Sequence, residues 1–229
     1  MTQRLQIIPT HPLMGRSLIE HDERSKNYPA RGLLGVDQLK PRDRVWRRGG
    51  AYDQGPSSTC VPHTGKGLLN TAPMSSRVPY YRRSKYDPYA WYPEVQRRDE
   101  WPGESPDYEG TSGLGLCKFF LDHGFISEYR ACFGLQDVLL TLSHIGPVAL
   151  GIWWKSHMWQ TDSDGFLSVS GENEGGHEVE LIGVDVSEKS VIGMNSWGES
   201  WGVNGRFKMT WEGLETLLAE QGDAYVIIK

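Results

Sequence analysis

The sequence predicts an α+β fold in which a helical half is followed by a β-rich half. Three observations carry that reading. Two apolar segments with helical spacing lie between Gly110 and Gly146, and β-rich runs dominate everything after Pro147. The chain is 229 residues long and 38% apolar with 9 Trp and 10 Tyr, which suffices for one packed domain of two lobes but not for several independent ones.

In chain order, residues 1 to about 45 are polar and punctuated by proline, without a sustained period of 3.6 or 2, and read as an extended arm. The loop DQGPSSTC, Asp53 to Cys60, leads into VPHTGKGLLN, where Pro62 suits a first helical turn, while Gly65 and Gly67 each cost about 1 kcal/mol of helix propensity. The segment GTSGLGLCKFFLDHGF sets Leu114, Cys117, Phe120 and Leu121 on one helical face, with Ser112 as N-cap and Gly124 as stop. In LQDVLLTLSHIG a second helix aligns Leu135, Val138, Leu139 and Leu142 and ends at Gly146-Pro147. VALGIWW, HEVELIGVDV, VIGMNSW, GRFKMTW and AYVIIK then read as strands of a mostly antiparallel sheet or barrel, with LETLLAEQG a brief helix. The aspartates of TDSDG, Asp162 and Asp164, mark a turn and not a calcium loop.

Charge and cysteine usage narrow the function. Lys+Arg 24 against Asp+Glu 29 gives a net charge of -5, which argues against a nucleic-acid partner. The N-terminus has no apolar leader core, and no run approaches the roughly 20 apolar residues of a bilayer span. Three cysteines, Cys60, Cys117 and Cys132, make no disulfide framework. A cytoplasmic, reducing location is therefore expected, with virion association as the alternative.

A polar cluster stands out in the second half. The turn SEKS, Ser187 to Ser190, joins two apolar strands, and a hairpin folded there brings His177 and Asn195 onto neighbouring strands if a bulge or a longer loop corrects the register. An asparagine amide oxygen then accepts from one ring nitrogen of the histidine and leaves the other to act as a base. Cys60 is the candidate nucleophile: at a helix N-terminus and paired with an imidazolium, its thiol is expected to be largely thiolate at neutral pH.

From about Pro41 to the C-terminus the sequence resembles the papain family of cysteine peptidases. The resemblance rests on Gln54-Gly55 six residues before Cys60, on His177 in GHEVELIGV, on Asn195 heading NSWG, and on SWGVNGRF, in the family's order. It implies a papain-like fold with an N-terminal arm or short pro-like segment (1–40), a helical lobe (about 41–135) and a β-barrel-like lobe (about 136–229), the cleft lying between the lobes. It further implies a catalytic set of Cys60, His177 and Asn195 with Gln54 as oxyanion donor, substrate contacts at Gly151, Gly176 and Trp197, and a roomy main pocket at Gly151. No metal or organic cofactor is expected; the partner is a polypeptide substrate, and the arm is expected to dock on its own cleft or on a larger assembly. Departures from the family are Val61-Pro62-His63 after the nucleophile and Ser57 where a cysteine is usual. Two alternatives stay open: a non-proteolytic papain-fold component of a larger, possibly viral, assembly, and an acyltransferase using the same triad. Of the remaining candidates, His63 reads as a surface or capping histidine, Cys117 as core, Cys132 as undecided, and Trp153, Trp154 and Trp159 as either cleft wall or core.

Overall fold

A computed structural model describes residues 14–15, 23–78, 87–99 and 110–229. Residues 1–13 and 16–22 of the expected arm and the basic cluster Tyr80 to Lys85 lie outside the described residues. Six α-helices are described: α1 Cys60–Asn70, α2 Met74–Arg77, α3 Pro88–Gln96, α4 Gly113–Asp122, α5 Gly134–His144 and α6 Trp211–Ala219. Seven strands form one sheet: β1 Arg44–Val45, β2 Glu128–Ala131, β3 Val148–Lys155, β4 Asn173–Asp185, β5 Ser190–Met194, β6 Arg206–Thr210 and β7 Asp223–Ile228.

The local signals explain the helices. Ser112 caps α4 as expected, its hydroxyl accepting from Gly115 N–H at 3.0 Å. The apolar face of α4 turns through Leu116, Phe119 and Phe120, all buried, whereas Leu121, expected on it, is 43% exposed. Position 119 and not 121 therefore completes the stripe. Residues 23–38 depart from the extended reading. They form 3-10 turns at Glu23–Asn27, Ala30–Leu33 and Val36–Gln38, and Tyr28 C=O accepts from Ala131 N–H at 3.1 Å, fastening the segment to β2.

The sheet is antiparallel throughout its named pairs and runs in the order β2-β7-β3-β4-β5-β6, with β1 added to β4. Among the described residues its end strands do not pair, so of the sheet or barrel expected it is the open sheet, and the lobe is not closed into the barrel-like form that the resemblance implied. Alternation along β3, β4 and β7 gives it two apolar faces. One, with Leu150, Val179, Leu181 and Val226, packs under α5 and α6; the other, with Ala149, Tyr225 and Ile227, packs against α1 and α4. The result is a two-lobed α+β fold whose lobes share a sheet. Of the two register corrections expected for the β4–β5 hairpin, the bulge is present, between Leu181 and Gly183. Among the described residues, no helix is long and apolar enough to cross a membrane.

Burying β4 on both faces places two carboxylates, Glu178 and Glu180, inside the protein. Glu180 is met by Arg48, whose Nε donates to Oε2 at 2.7 Å, and by Thr71, whose hydroxyl donates to Oε1 at 2.6 Å. The ion pair is almost dry, with side-chain exposures of 3% and 1%. It also explains the weak-helix glycines of α1. A methyl group on Gly67 would sit 2.3 Å from Glu180 Oε2, and one on Gly65 would sit 2.7 Å from Leu116 Cδ1. Both glycines lose helix propensity to let α1 lie close on β4 and α4.

Removing one partner of such a pair leaves a buried charge uncompensated, a loss of about 3 to 5 kcal/mol. Arg48→Met is therefore expected to lower unfolding free energy by that amount in urea titration, and a change below about 1 kcal/mol would show the pair to be solvated. Gly67→Ala should destabilise despite its better propensity; an unchanged midpoint would mean that Glu180 can move aside.

Candidate active site

Cys60 is the first residue of α1 and is fully buried. Its sulfur receives backbone N–H groups from Glu178, Gly15 and Val61. Glu178 directly follows His177 on β4, and its carbonyl accepts from Thr64 Oγ at 3.1 Å, one turn along α1. The helix carrying the thiol is thus stitched to the strand carrying the imidazole.

The expected neutral-pH thiolate is not what this environment produces. Burial pushes the Cys60 thiol up to about 12, and the Glu178 charge adds to the rise, against the lowering effect of the three N–H donors. The chain's own Met14-Gly15 lies beside the thiol, and Gly15 supplies one of the three N–H groups that lower its pKa. A methyl group on Gly15 would lie 1.9 Å from Ser58 O, so no side chain fits between them. Gly15 C=O accepts from Thr111 N–H at 2.9 Å. Met14 is completely buried and packs on Gly175, where an added methyl would lie 2.8 Å from Met14 Cβ. The dipeptide therefore crosses from Gly175 to Thr111 over the sulfur.

His177 Nε2 and Asn195 Oδ1 are 2.8 Å apart, the pairing that the hairpin arithmetic required. Asn195 Oδ1 also accepts from Ser196 N–H at 2.8 Å, which fixes the amide with its oxygen toward the ring. A carbonyl oxygen only accepts, so Nε2 carries the proton and Nδ1 is the basic nitrogen of the neutral ring. Trp197 covers the pair at 4.8 Å between ring centroids, and Trp154 meets His177 edge-on at 5.0 Å. Trp159 stacks on Trp197 and Trp201 stands perpendicular to it, so the imidazole sits in an aromatic enclosure. Trp154 is buried core and Trp197 is partly exposed.

Gln54 is fully buried and held at both ends of its amide. Ser196 Oγ donates to Oε1 at 2.6 Å, and Nε2 donates to Ser57 O at 2.6 Å. Its backbone is held too, Gln54 N–H donating to Ser196 O at 2.8 Å. Ser196 thus touches both Asn195 and Gln54, a link the serine of NSWG gave no separate reason to expect. Nothing in the sequence pointed to Met14-Gly15 either, because no periodicity marks a two-residue contact.

The other candidates fall as follows. Gly176 is buried beside His177 and pairs with Trp153; Gly151 lies in the middle of the sheet, paired with Glu178 on one side and Asp223 on the other. His63 is not on the surface: it is buried, its Nδ1–H donates to Thr59 O at 2.8 Å, and burial lowers its pKa. It does serve the helix start, as a partner of the N-cap residue Thr59. Cys117 and Cys132 are buried free thiols, and Asp162 closes its turn by accepting from Asp164 and Phe166 N–H.

The papain family cysteine protease profile matches residues 122–223. A cathepsin B-like protein, CP2, of Giardia intestinalis is 33% identical over 153 residues, covering 65% of this chain and 45% of that protein. Cathepsin Z of Onchocerca volvulus is 33% identical over 88 residues, covering 37% of this chain and 28% of the relative. The chain thus spans less than half the length of these relatives. Among solved structures, xylellain, a cysteine protease from Xylella fastidiosa, superposes with a TM-score of 0.63 at 18% identity over 99% of both chains. Digestive procathepsin L2 of Tenebrio molitor gives 0.62 at 17% identity, over 95% of this chain and 79% of its own. The fold, the order of the motifs and these likenesses agree: the chain is similar to papain family cysteine proteases and shares their fold.

Proposed function

We propose that the protein is a cysteine peptidase whose nucleophile is Cys60. The observation that carries the reading is the His177–Asn195 hydrogen bond on a strand tied directly to the Cys60 helix. In the proposed reaction Cys60 Sγ passes its proton to the His177 ring and attacks the peptide carbonyl carbon. The imidazolium then protonates the leaving amine, and water hydrolyses the thioester with the same ring as base. Asn195 orients the imidazole, and the Gln54 amide with the Cys60 N–H stabilises the oxyanion. Attack requires the arm to vacate the site, because Gly15 N–H occupies the sulfur and burial disfavours the thiolate. Met14-Gly15 is read accordingly as a contact on the chain's own cleft that yields to substrate.

The covered thiol also favours a second reading, a papain-fold module that never turns over peptide. Three measurements separate the two. Cys60→Ser should abolish cleavage of a casein substrate while leaving the circular dichroism spectrum intact; equal turnover would reject the nucleophile, and absence of turnover in the parent chain would favour the module. Gln54→Ala should reduce kcat by roughly a hundredfold, and a loss under threefold would place the oxyanion donor elsewhere. The third concerns pH. A thiol held near 12 should react with iodoacetamide about tenfold faster per pH unit up to that value. In Gly15→Trp, whose side chain cannot fit against Ser58, the arm should lift, and Cys60 should titrate several units lower. Identical profiles in both chains would show that Met14-Gly15 does not shield the thiol.

A further inference from the structure

Resting on the peptidase reading, we infer that Tyr89 is a positioning residue that holds the oxyanion donor Gln54 in place from the helical half of the molecule. Its hydroxyl donates to Gln54 C=O at 2.9 Å, across 35 residues of chain. That carbonyl also accepts from Ser57 Oγ at 2.5 Å, so both of its lone pairs are engaged. On the other side of the same residue, Gln54 N–H donates to Ser196 O at 2.8 Å. The backbone of Gln54 is thus clamped between Tyr89 of α3 and Ser196 of the NSWG motif, and its side chain leaves from a fixed point. The next residue, Gly55, lies in the left-handed region at φ +54°, where the chain reverses ahead of α1 and neither helix nor sheet sets the direction of the carbonyl. A donor has to stand about 2.7 to 3.1 Å from the developing charge to stabilise it. A side chain on an unclamped turn does not keep that distance.

Tyr89 is itself well placed to act as the anchor. Its N–H donates to Asp87 Oδ1, the N-cap of α3, at 3.0 Å, and its ring meets His63 edge-on at 5.2 Å. Two residues further on, Trp91 is buried among Phe119, Phe120 and Phe125, which roots α3 in the core. His63 closes the circuit back to the nucleophile: its Nδ1–H donates to the carbonyl of Thr59, the N-cap of α1, whose hydroxyl lies 2.7 Å from Ser57 Oγ. Tyr89, His63, Thr59 and Ser57 therefore surround the loop between the donor and the thiol. Tyr89 is 48% exposed, so apolar burial does not account for it, and its polar end is directed at Gln54.

The test is a double-mutant cycle in the full chain between Tyr89→Phe, which keeps the ring on His63 and removes the hydroxyl alone, and Gln54→Ala. On fluorescein-labelled casein, Tyr89→Phe should lower kcat by roughly threefold or more, on the scale of one neutral hydrogen bond, with KM within about twofold. In the Gln54→Ala background the same change should cost less than about twofold. Alkylation of Cys60 by iodoacetamide, which forms no oxyanion, should keep its rate and pH profile, a result that a general loosening of the site would not give. A smaller loss of kcat, an equal loss in both backgrounds, or a parallel change in alkylation would overturn the assignment and leave the peptidase reading in place. If the parent chain cleaves no casein, the peptidase reading fails, and amide hydrogen exchange decides whether Tyr89 holds Gln54. Exchange of Gln54 N–H at least about threefold faster in Tyr89→Phe supports the clamp, and a smaller change overturns it.

Discussion

A guanidinium and a carboxylate withdrawn from water, Arg48 and Glu180, fix where α1 lies on β4, and the site depends on that placement. Desolvating two charges is costly, and the pair is tolerable only because geometry and a further donor, Thr71, satisfy it. It acts less as a source of net stability than as a register pin. A helix shifted along the strand would break the bond, and Gly67 exists to permit the approach. Two residues earlier on β4, Glu178 hands its N–H to the sulfur and its carbonyl to Thr64. One strand therefore positions the thiol and the imidazole with the same backbone.

The chemistry of the site is divided between what is rigid and what must change. His177 is fixed by Asn195 and enclosed by tryptophans, and Gln54 is fixed by Ser196 and Ser57. Such groups need little reorganisation in a reaction, which is how preorganised polar sites gain their effect. The sulfur is different. Its environment here favours the neutral thiol, and beside it lies a glycine that fits only because it has no side chain. Holding the thiol protonated also protects it, since the thiolate is the form that reacts and oxidises.

Much of this could be read in the sequence, for reasons that differ by element. α4 and α5 carry enough helical period, capping and stop residues to place them within a few positions, and the β4–β5 hairpin arithmetic called for a bulge or a longer loop, of which the bulge is present. Cys60, His177, Asn195 and Gln54 were marked by spacing and by their motifs, and the structure brings His177 to Asn195 and Gln54 to the NSWG serine. What sequence could not give was long-range complementarity. Gly65 and Gly67 looked like defects until the atoms they admit were placed. The strand β2, only four residues with no strong alternation, exists because β7 offers it an edge. Glu178 and Glu180 are inside because both faces of β4 are buried, which its sequence alone does not reveal. The state of the thiol was misjudged for the same reason: a helix N-terminus is visible in sequence, but the burial of the sulfur is not.

The sheet shared by both apolar clusters has a consequence for how the molecule comes apart. Neither cluster is closed without the sheet, since β3, β4 and β7 supply the floor of one and the roof of the other. The lobes are therefore coupled as one cooperative unit, and amides at the centre of β3 and β4 have no local opening that exposes them. Their exchange with solvent deuterium should follow the global unfolding equilibrium, while the edge strands β2 and β6 exchange through smaller fluctuations.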